Sequence, residues 1–307
     1  MRPIKRQMMD DRFFLRHARA YRKPIFRGGV HSVPLTAHLE ALEFELPKLA
    51  KHGRQGFKVD TLVGELEAAI HVYALGSPGS PVLIYHHDAG EHPVTETLRA
   101  MFPANSDTGL TIFMIEAPFH DSRSEAQIAT ASVEIYLAMQ AVAIATTEHL
   151  LLSVRPEASL RFVAGYGQGG FICNRHHMIF DTASAYIPFM AGAAEAEAFL
   201  ARPQRDKGVD RNRDAFRRLL NFDDAWAERG HRNVYPVLGS IDLINPFQAE
   251  MSSYGKTPIE VWATSHLTAL KSPLRLREKI LRTIASLERD RIGVREAAPA
   301  KLRAFGS

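Results

Sequence analysis

The chain is poor in the residues that mark several protein classes. It has one cysteine, Cys173, so no disulfide can close within it and no multi-cysteine zinc site can form. No run of eighteen uninterrupted apolar residues occurs, and on that basis no membrane span is expected. No internal repeat or low-complexity tract interrupts the 307 residues, which argues against a solenoid or a fibrous protein. The N-terminal segment lacks the apolar core and cleavage site of a signal peptide, and Asp10 and Asp11 disfavour a transit peptide. With so little cysteine, a cytoplasmic location is expected. What remains is ordinary: 46% apolar and 23% charged residues, the balance of a folded globular chain.

The net charge of +4 is unevenly spread. Residues 1–27 hold nine basic side chains against Asp10 and Asp11, a balance of +7; the other 280 residues hold 29 basic against 32 acidic, −3. The basic character belongs to a leader and not to the body. No reading motif accompanies it, so no nucleic-acid partner is expected. The leader reads as an arm or first helix packed along the body, with homodimerisation by leader exchange as a further expectation.

From about residue 67 the pattern becomes strand, loop, helix, strand. Strand-like runs lie at 67–75, 81–86, 110–115, 160–164, 185–190, 234–238 and 259–263, several of them nearly continuous in Val, Ile, Leu, Phe and Tyr. Strands buried on both faces read this way. Gly76-Ser77-Pro78-Gly79-Ser80 is a turn signal, so the first two runs are expected to pair as an antiparallel hairpin. Helical patterns cover 125–152, 168–180, 246–252 and 272–287. This alternation predicts an α/β fold with a mostly parallel sheet, and any ligand site at the carboxyl ends of its strands. Residues 193–232 break the alternation as two polar helices, read as a helical cap over the strand ends or as a surface excursion.

The residues just past the strands carry the chemistry. Gly165-Tyr166-Gly167-Gln168-Gly169-Gly170 follows the run 160–164 and opens a helix. Small residues are needed where a strand turns sharply into a helix, and this is the layout of a nucleophile elbow, Gly-x-Ser-x-Gly, with Gly167 at the apex. The same glycines satisfy a dinucleotide fingerprint, but that belongs on a first strand with an acidic residue about twenty positions on. Here the strand is a middle one, and Asp181 follows Gly170 by only eleven positions. Asp242 lies just past the run 234–238, and His266 just past 259–263. The order elbow, acid, histidine, with gaps of 75 and 24 residues, is the order of a hydrolase triad on such a sheet.

Together these positions resemble the α/β-hydrolase superfamily over about residues 67–290. The resemblance implies an α/β-hydrolase fold. Because elbow, acid and histidine must share a sheet, it implies one domain over 59–307, with a cap at about 193–232 and a basic extension over 1–58. It implies hydrolysis of an ester or related acyl bond of a small molecule, with His266 as general base and Asp242 as its orienter. His86-His87-Asp88-Ala89 sits where the superfamily carries its oxyanion loop, so His86, His87 and Asp88, with Gln168, are candidate oxyanion or substrate-binding residues. Tyr166 and His120 are candidates to face the pocket, the latter from a turn, Ala117-Pro118-Phe119-His120-Asp121-Ser122-Arg123, that departs from the family's glycine-rich pattern.

The apex residue cannot attack, because glycine has no side chain. Cys173 falls inside the expected helix as a buried small residue, and Ser240 and Ser265 are not at the elbow. Three readings stay open: an inactivated hydrolase in which Gly167→Ser would create or restore esterase activity, a pseudohydrolase that binds a small ligand, or a cofactor-free His/Asp enzyme, including a lyase or oxygenase, in which His266 activates water or a substrate proton. No cofactor is expected. The histidines match no metal motif, and adjacent His176 and His177 cannot both face one site, so no metal is expected either.

Overall fold

The computed structural model of the chain describes residues 8–9, 11–12, 24–49, 51–103, 108–120, 126–153, 158–203 and 205–303. Most of the basic leader and the turn residues Asp121, Ser122 and Arg123 lie outside the described residues. Among the described residues eight strands form one sheet in the order β1-β2-β4-β3-β5-β6-β7-β8. They are β1 (Gly53–Thr61), β2 (Gly64–Ala74), β3 (Val82–His86), β4 (Thr111–Glu116), β5 (Arg161–Tyr166), β6 (Ala185–Phe189), β7 (Val237–Gly239) and β8 (Glu260–Trp262). Pairs β1/β2 and β2/β4 are antiparallel and the rest parallel.

The antiparallel hairpin is β1 with β2, not β2 with β3 as the turn signal suggested. Strand β4 lies between β2 and β3, and the connection through Gly76 and Gly79 carries the chain past its end. Strand β1 escapes a hydropathy reading because it is polar: only Phe57 and Val59 are buried in it. An edge strand in an antiparallel pair can leave one face in water. It begins inside the stretch expected to be extension.

The parallel strands follow the rule for doubly covered sheets. Val82, Ile84, Phe113, Ile115 and Val163 pack on one face with the helices Val133–Ser153 and Gln168–Ile179. Leu83, Tyr85, Ile112, Met114, Phe162 and Ala164 pack on the other with Leu98, Met101, Leu276 and Ile280. Alternate side chains thus reach opposite cores, which is why these strands read as unbroken apolar runs. The helix Val133–Ser153 is apolar on all sides and, by length and composition, long enough to cross a membrane. Scattered polar residues such as Gln140 break its run without lowering its mean hydropathy much, so a search for uninterrupted apolar residues passes over it. The helix is mostly buried inside the protein.

The 193–232 segment holds four short helices among the described residues, not two: Glu195–Leu200, Lys207–Arg211, Arg213–Leu220 and Asp223–Arg229. It is tied to the body by Glu195, which is fully buried and takes hydrogen bonds from Arg175 (2.8 Å) and Tyr136 (2.6 Å).

Candidate functional site

The elbow forms because three elements crowd together behind it. A Cβ at Gly165 would stand 2.1 Å from the carbonyl oxygen of Gly169, and one at Gly169 would stand 2.3 Å from that of His86. Only glycine permits such approach between β5, the helix Gln168–Ile179 and the end of β3. Gly167 itself has φ +52° and ψ −111°, a conformation L side chains rarely adopt. Its N–H donates to Phe189 O (2.9 Å), while its carbonyl takes the Gly170 and Phe171 N–H groups.

Asp242 and His266 meet at the same sheet edge. His266 Nδ1 lies 2.8 Å from Asp242 Oδ2. The other carboxylate oxygen accepts the N–H groups of Ile244 and Asn245, both at 2.8 Å. Both side chains are almost fully buried. Tyr166, from the end of β5, sets its ring edge-on to the imidazole at 5.2 Å and donates its hydroxyl to the His266 carbonyl at 2.6 Å. Nε2 faces the elbow: it lies 3.1 Å from the place a Gly167 Cβ would take. That nitrogen is buried and has no hydrogen-bond partner among the described residues.

The space a side chain at 167 would fill is occupied by Asp88. A Cβ there would stand 2.1 Å from Asp88 Oδ1. Oδ1 accepts the Gln168 N–H at 3.2 Å, and Oδ2 accepts that of Gly90 at 3.3 Å and lies 3.8 Å from His266 Nε2. Simple replacement of Gly167 by serine therefore collides with Asp88. The expected oxyanion donor of the elbow, the Gln168 N–H, is turned to a carboxylate of the protein itself. The Gln168 side chain points away, to Met139 Sδ at 3.3 Å.

The charges follow from this packing. Burial opposes a charge on His266, but Asp242 and then Asp88 outweigh it and raise its pKa to about 10. Burial would raise the Asp88 carboxyl, yet His266, the Gln168 N–H and Arg202 hold it below its ordinary value. Burial raises Asp242 despite its partner. His266 thus stands between two carboxyl groups that favour its protonated form.

The other candidate residues divide. His87 packs against His120 with ring centroids 4.8 Å apart and ring planes tilted by 59°, takes the Ala117 N–H on Nε2 and donates from Nδ1 to the Asp88 carbonyl (2.9 Å). His120 donates from Nδ1 to Pro118 O. Burial, and then His120, lowers His87 to about 3, and burial lowers His120 too, so both rings are neutral. His86 does not join them: its Nε2 meets the Thr147 hydroxyl at 2.9 Å, beneath the sheet.

Two carboxyl groups enter that the sequence reading did not assign. Glu91 is buried and takes the Asp88 N–H (2.7 Å) and the Thr97 N–H (3.2 Å); burial pushes it up to about 7. Asp11 is fully buried and accepts three N–H groups at 3.1 Å, from Leu243, His266 and Leu267. It joins the acid loop to the histidine loop. Glu91 lay in the loop already singled out. For Asp11 the sequence offered no signal, since its partners are more than 230 residues away.

Near Asp88 lies a cavity of about 30 Å³, lined also by Gln168, Phe171, Phe199, Arg202 and Asn245. Phe199 and Arg202 bring the 193–232 segment to this site. A much larger open groove, about 960 Å³, runs past Asp223, His231, Ser253 and Lys256 and touches none of the residues above. Space and chemistry thus lie apart. Among the described residues no three His, Cys, Asp or Glu side chains converge as metal ligands.

No protein-family model matches the sequence, and no curated protein matches it significantly. Solved structures do match in fold. An acylaminoacyl peptidase from Pyrococcus horikoshii superposes with a TM-score of 0.51 at 13% identity, over 77% of this chain and 41% of that one. The chain has the α/β-hydrolase fold. Acetyl xylan esterase 1 from Thermoanaerobacterium sp. (TM-score 0.49, 13% identity, 81% of this chain and 96% of that one) and Est1E from Butyrivibrio proteoclasticus (0.49, 15%, 76% and 99%) also match.

Proposed function

We propose that this protein hydrolyses an ester or related acyl bond of a small molecule. The observation that carries the reading is the Asp242–His266 pair, bonded at 2.8 Å, with Nε2 aimed at the apex of the elbow and facing Asp88 at 3.8 Å. The peptidase that shares the fold is consistent with bond hydrolysis. In this reading Asp242 holds the imidazole through Nδ1–H and keeps Nε2 on the reacting atoms. Two flanking carboxyl groups favour the protonated form of His266, which places it to give a proton to the leaving oxygen once the acyl carbon has been attacked, and then to take one from the water that completes hydrolysis. The base role expected for it thus comes second. The Gln168 N–H, which donates to Asp88 Oδ1 at 3.2 Å, is the backbone donor at the elbow that would have to turn to an oxygen gaining negative charge, and the neutral His87 and His120 wall the site.

Turnover of short-chain para-nitrophenyl esters tests this. Replacing His266 by Ala is expected to lower kcat about 10²–10⁴-fold, with partial rescue by added imidazole. A second reading is favoured by one observation, that Asp88 fills the space of the missing side chain. It makes the chain a pseudohydrolase that binds a small ligand, and it predicts no ester turnover by the unaltered protein.

A further inference from the structure

We infer that Asp88 is the nucleophile of this site, its carboxylate brought in by the loop after β3 to take the place of the side chain that Gly167 lacks. The inference rests on the hydrolase reading and names the attacking group that reading leaves open. Oδ1 stands 2.1 Å from where a Cβ at 167 would be, in the volume an elbow side chain would use. The loop holds it there: the Asp88 N–H is bound by Glu91 Oε2 at 2.7 Å, and its carbonyl takes the N–H of Glu91 (3.2 Å) and His87 Nδ1–H (2.9 Å).

The carboxylate itself is less well satisfied than its neighbours. Asp242 has three hydrogen bonds at 2.8 Å and Asp11 three at 3.1 Å. Among the described residues Asp88 accepts two longer hydrogen bonds, from Gln168 (3.2 Å) and Gly90 (3.3 Å), and pairs with His266 Nε2 at 3.8 Å. A purely structural buried carboxylate is expected to be the better bonded one. The Asp88 side chain is 14% exposed, and His266 Nε2 faces Oδ2 across 3.8 Å without a hydrogen bond. That separation leaves a proton donor facing the carboxylate without tying it down.

The chemistry balances with the groups present. Oδ2 attacks the acyl carbon, the bond to the leaving oxygen breaks, and that oxygen takes the proton of His266. The product is an anhydride between Asp88 and the acyl group. Water then attacks Cγ of Asp88 and gives one proton to the now neutral His266. The electron pair moves onto Oδ1, where the Gln168 N–H already donates. Collapse breaks the Cγ–Oδ2 bond and frees the acid with the old Oδ2, and the remaining proton goes to bulk water. The cavity beside Asp88, about 30 Å³, is large enough to seat the water of the second step.

Each turnover exchanges one Asp88 oxygen for one from water. Hydrolysis of para-nitrophenyl acetate in oxygen-18 water, followed by peptide mapping, is expected to place the label in the Asp88 side chain. Asp88→Asn is expected to lower kcat on the order of 10²-fold or more. Undiminished turnover by the folded Asp88→Asn variant overturns the inference and leaves the hydrolase reading standing. If the unaltered protein turns over no ester, that reading fails, and para-nitrophenyl glycidyl ether decides on Asp88 alone. Attack of the carboxylate opens its ring, with the ring oxygen protonated by His266. An adduct mapped to Asp88 supports the nucleophile; an adduct elsewhere, or none, overturns it.

Discussion

His266 has a carboxylate on each side, and the two are held in opposite ways. The Asp242 side chain is 2% exposed, touches Nδ1 at 2.8 Å and spends its second oxygen on two backbone N–H groups. The Asp88 side chain is 14% exposed, stands 3.8 Å from Nε2 and makes two long hydrogen bonds. The same residue type is therefore held in two ways. In the proposed reaction the carboxylate saturated by fixed donors orients His266, and the one with longer contacts beside a cavity attacks. Loop anatomy makes the difference. The acid loop turns back on its own carboxylate, whereas the loop after β3 is held through its backbone and presents its carboxylate to the elbow.

The sharpest way to break this comparison is to neutralise each carboxylate in turn. Asp242→Asn leaves His266 without its acceptor and is expected to cut ester turnover by about 10³–10⁴-fold and to lower Tm strongly, because a buried pair loses one partner. Asp88→Asn is expected to cut turnover as well and to lower Tm less, because its hydrogen bonds are longer and His266 Nε2 stands 3.8 Å away. Equal losses of stability would erase the distinction between the two. Next in size comes Asp11→Ala, which strands buried N–H groups at about 1–3 kcal/mol each. Thermal unfolding is expected to show Tm lower by about 4 °C or more.

Gly167→Ser tests whether the apex space is already taken. It is expected to cost about 1–3 kcal/mol through backbone strain and the clash with Asp88, and to give no serine-reactive enzyme. The double variant Gly167→Ser with Asp88→Ala clears that clash. Phosphonate labelling of the double variant but not of the single one would sharpen the case. The smallest effect concerns pH. His266 is held at about 10, above its unfolded value of about 6.5. Its contribution to stability is fully present below the unfolded value and is lost as pH rises through about 10. Tm measured across that range is expected to fall at a lower pH in Asp88→Asn, because one of the two anions holding the proton is gone.

Much of the candidate site was legible in the sequence because it lies just past strands, and strands buried on both faces announce themselves. Gly165, Gly167 and Gly169 marked the turn; Asp242 and His266 came in the right order after their strands. What could not be read was which loop residue faces which. His86 and Asp88 are two positions apart, yet one ring goes beneath the sheet to Thr147 and one carboxylate goes to the elbow. Strand β1 was missed because only Phe57 and Val59 are buried in it, and the turn after β2 could not reveal that β4 inserts between β2 and β3.

The sequence by itself determined the fold class, the position of the elbow and the pair Asp242 and His266, because local hydropathy, glycine placement and chain order are local properties. Only the tertiary structure decided what stands at the apex. Asp88 is 79 residues before Gly167, and Asp11 is 255 before His266; both reach the site through contacts that no periodicity encodes. The lack of a serine at the elbow reads in sequence as a missing group. In three dimensions that volume is filled by a carboxylate, because close packing leaves no empty space where two loops and a glycine converge.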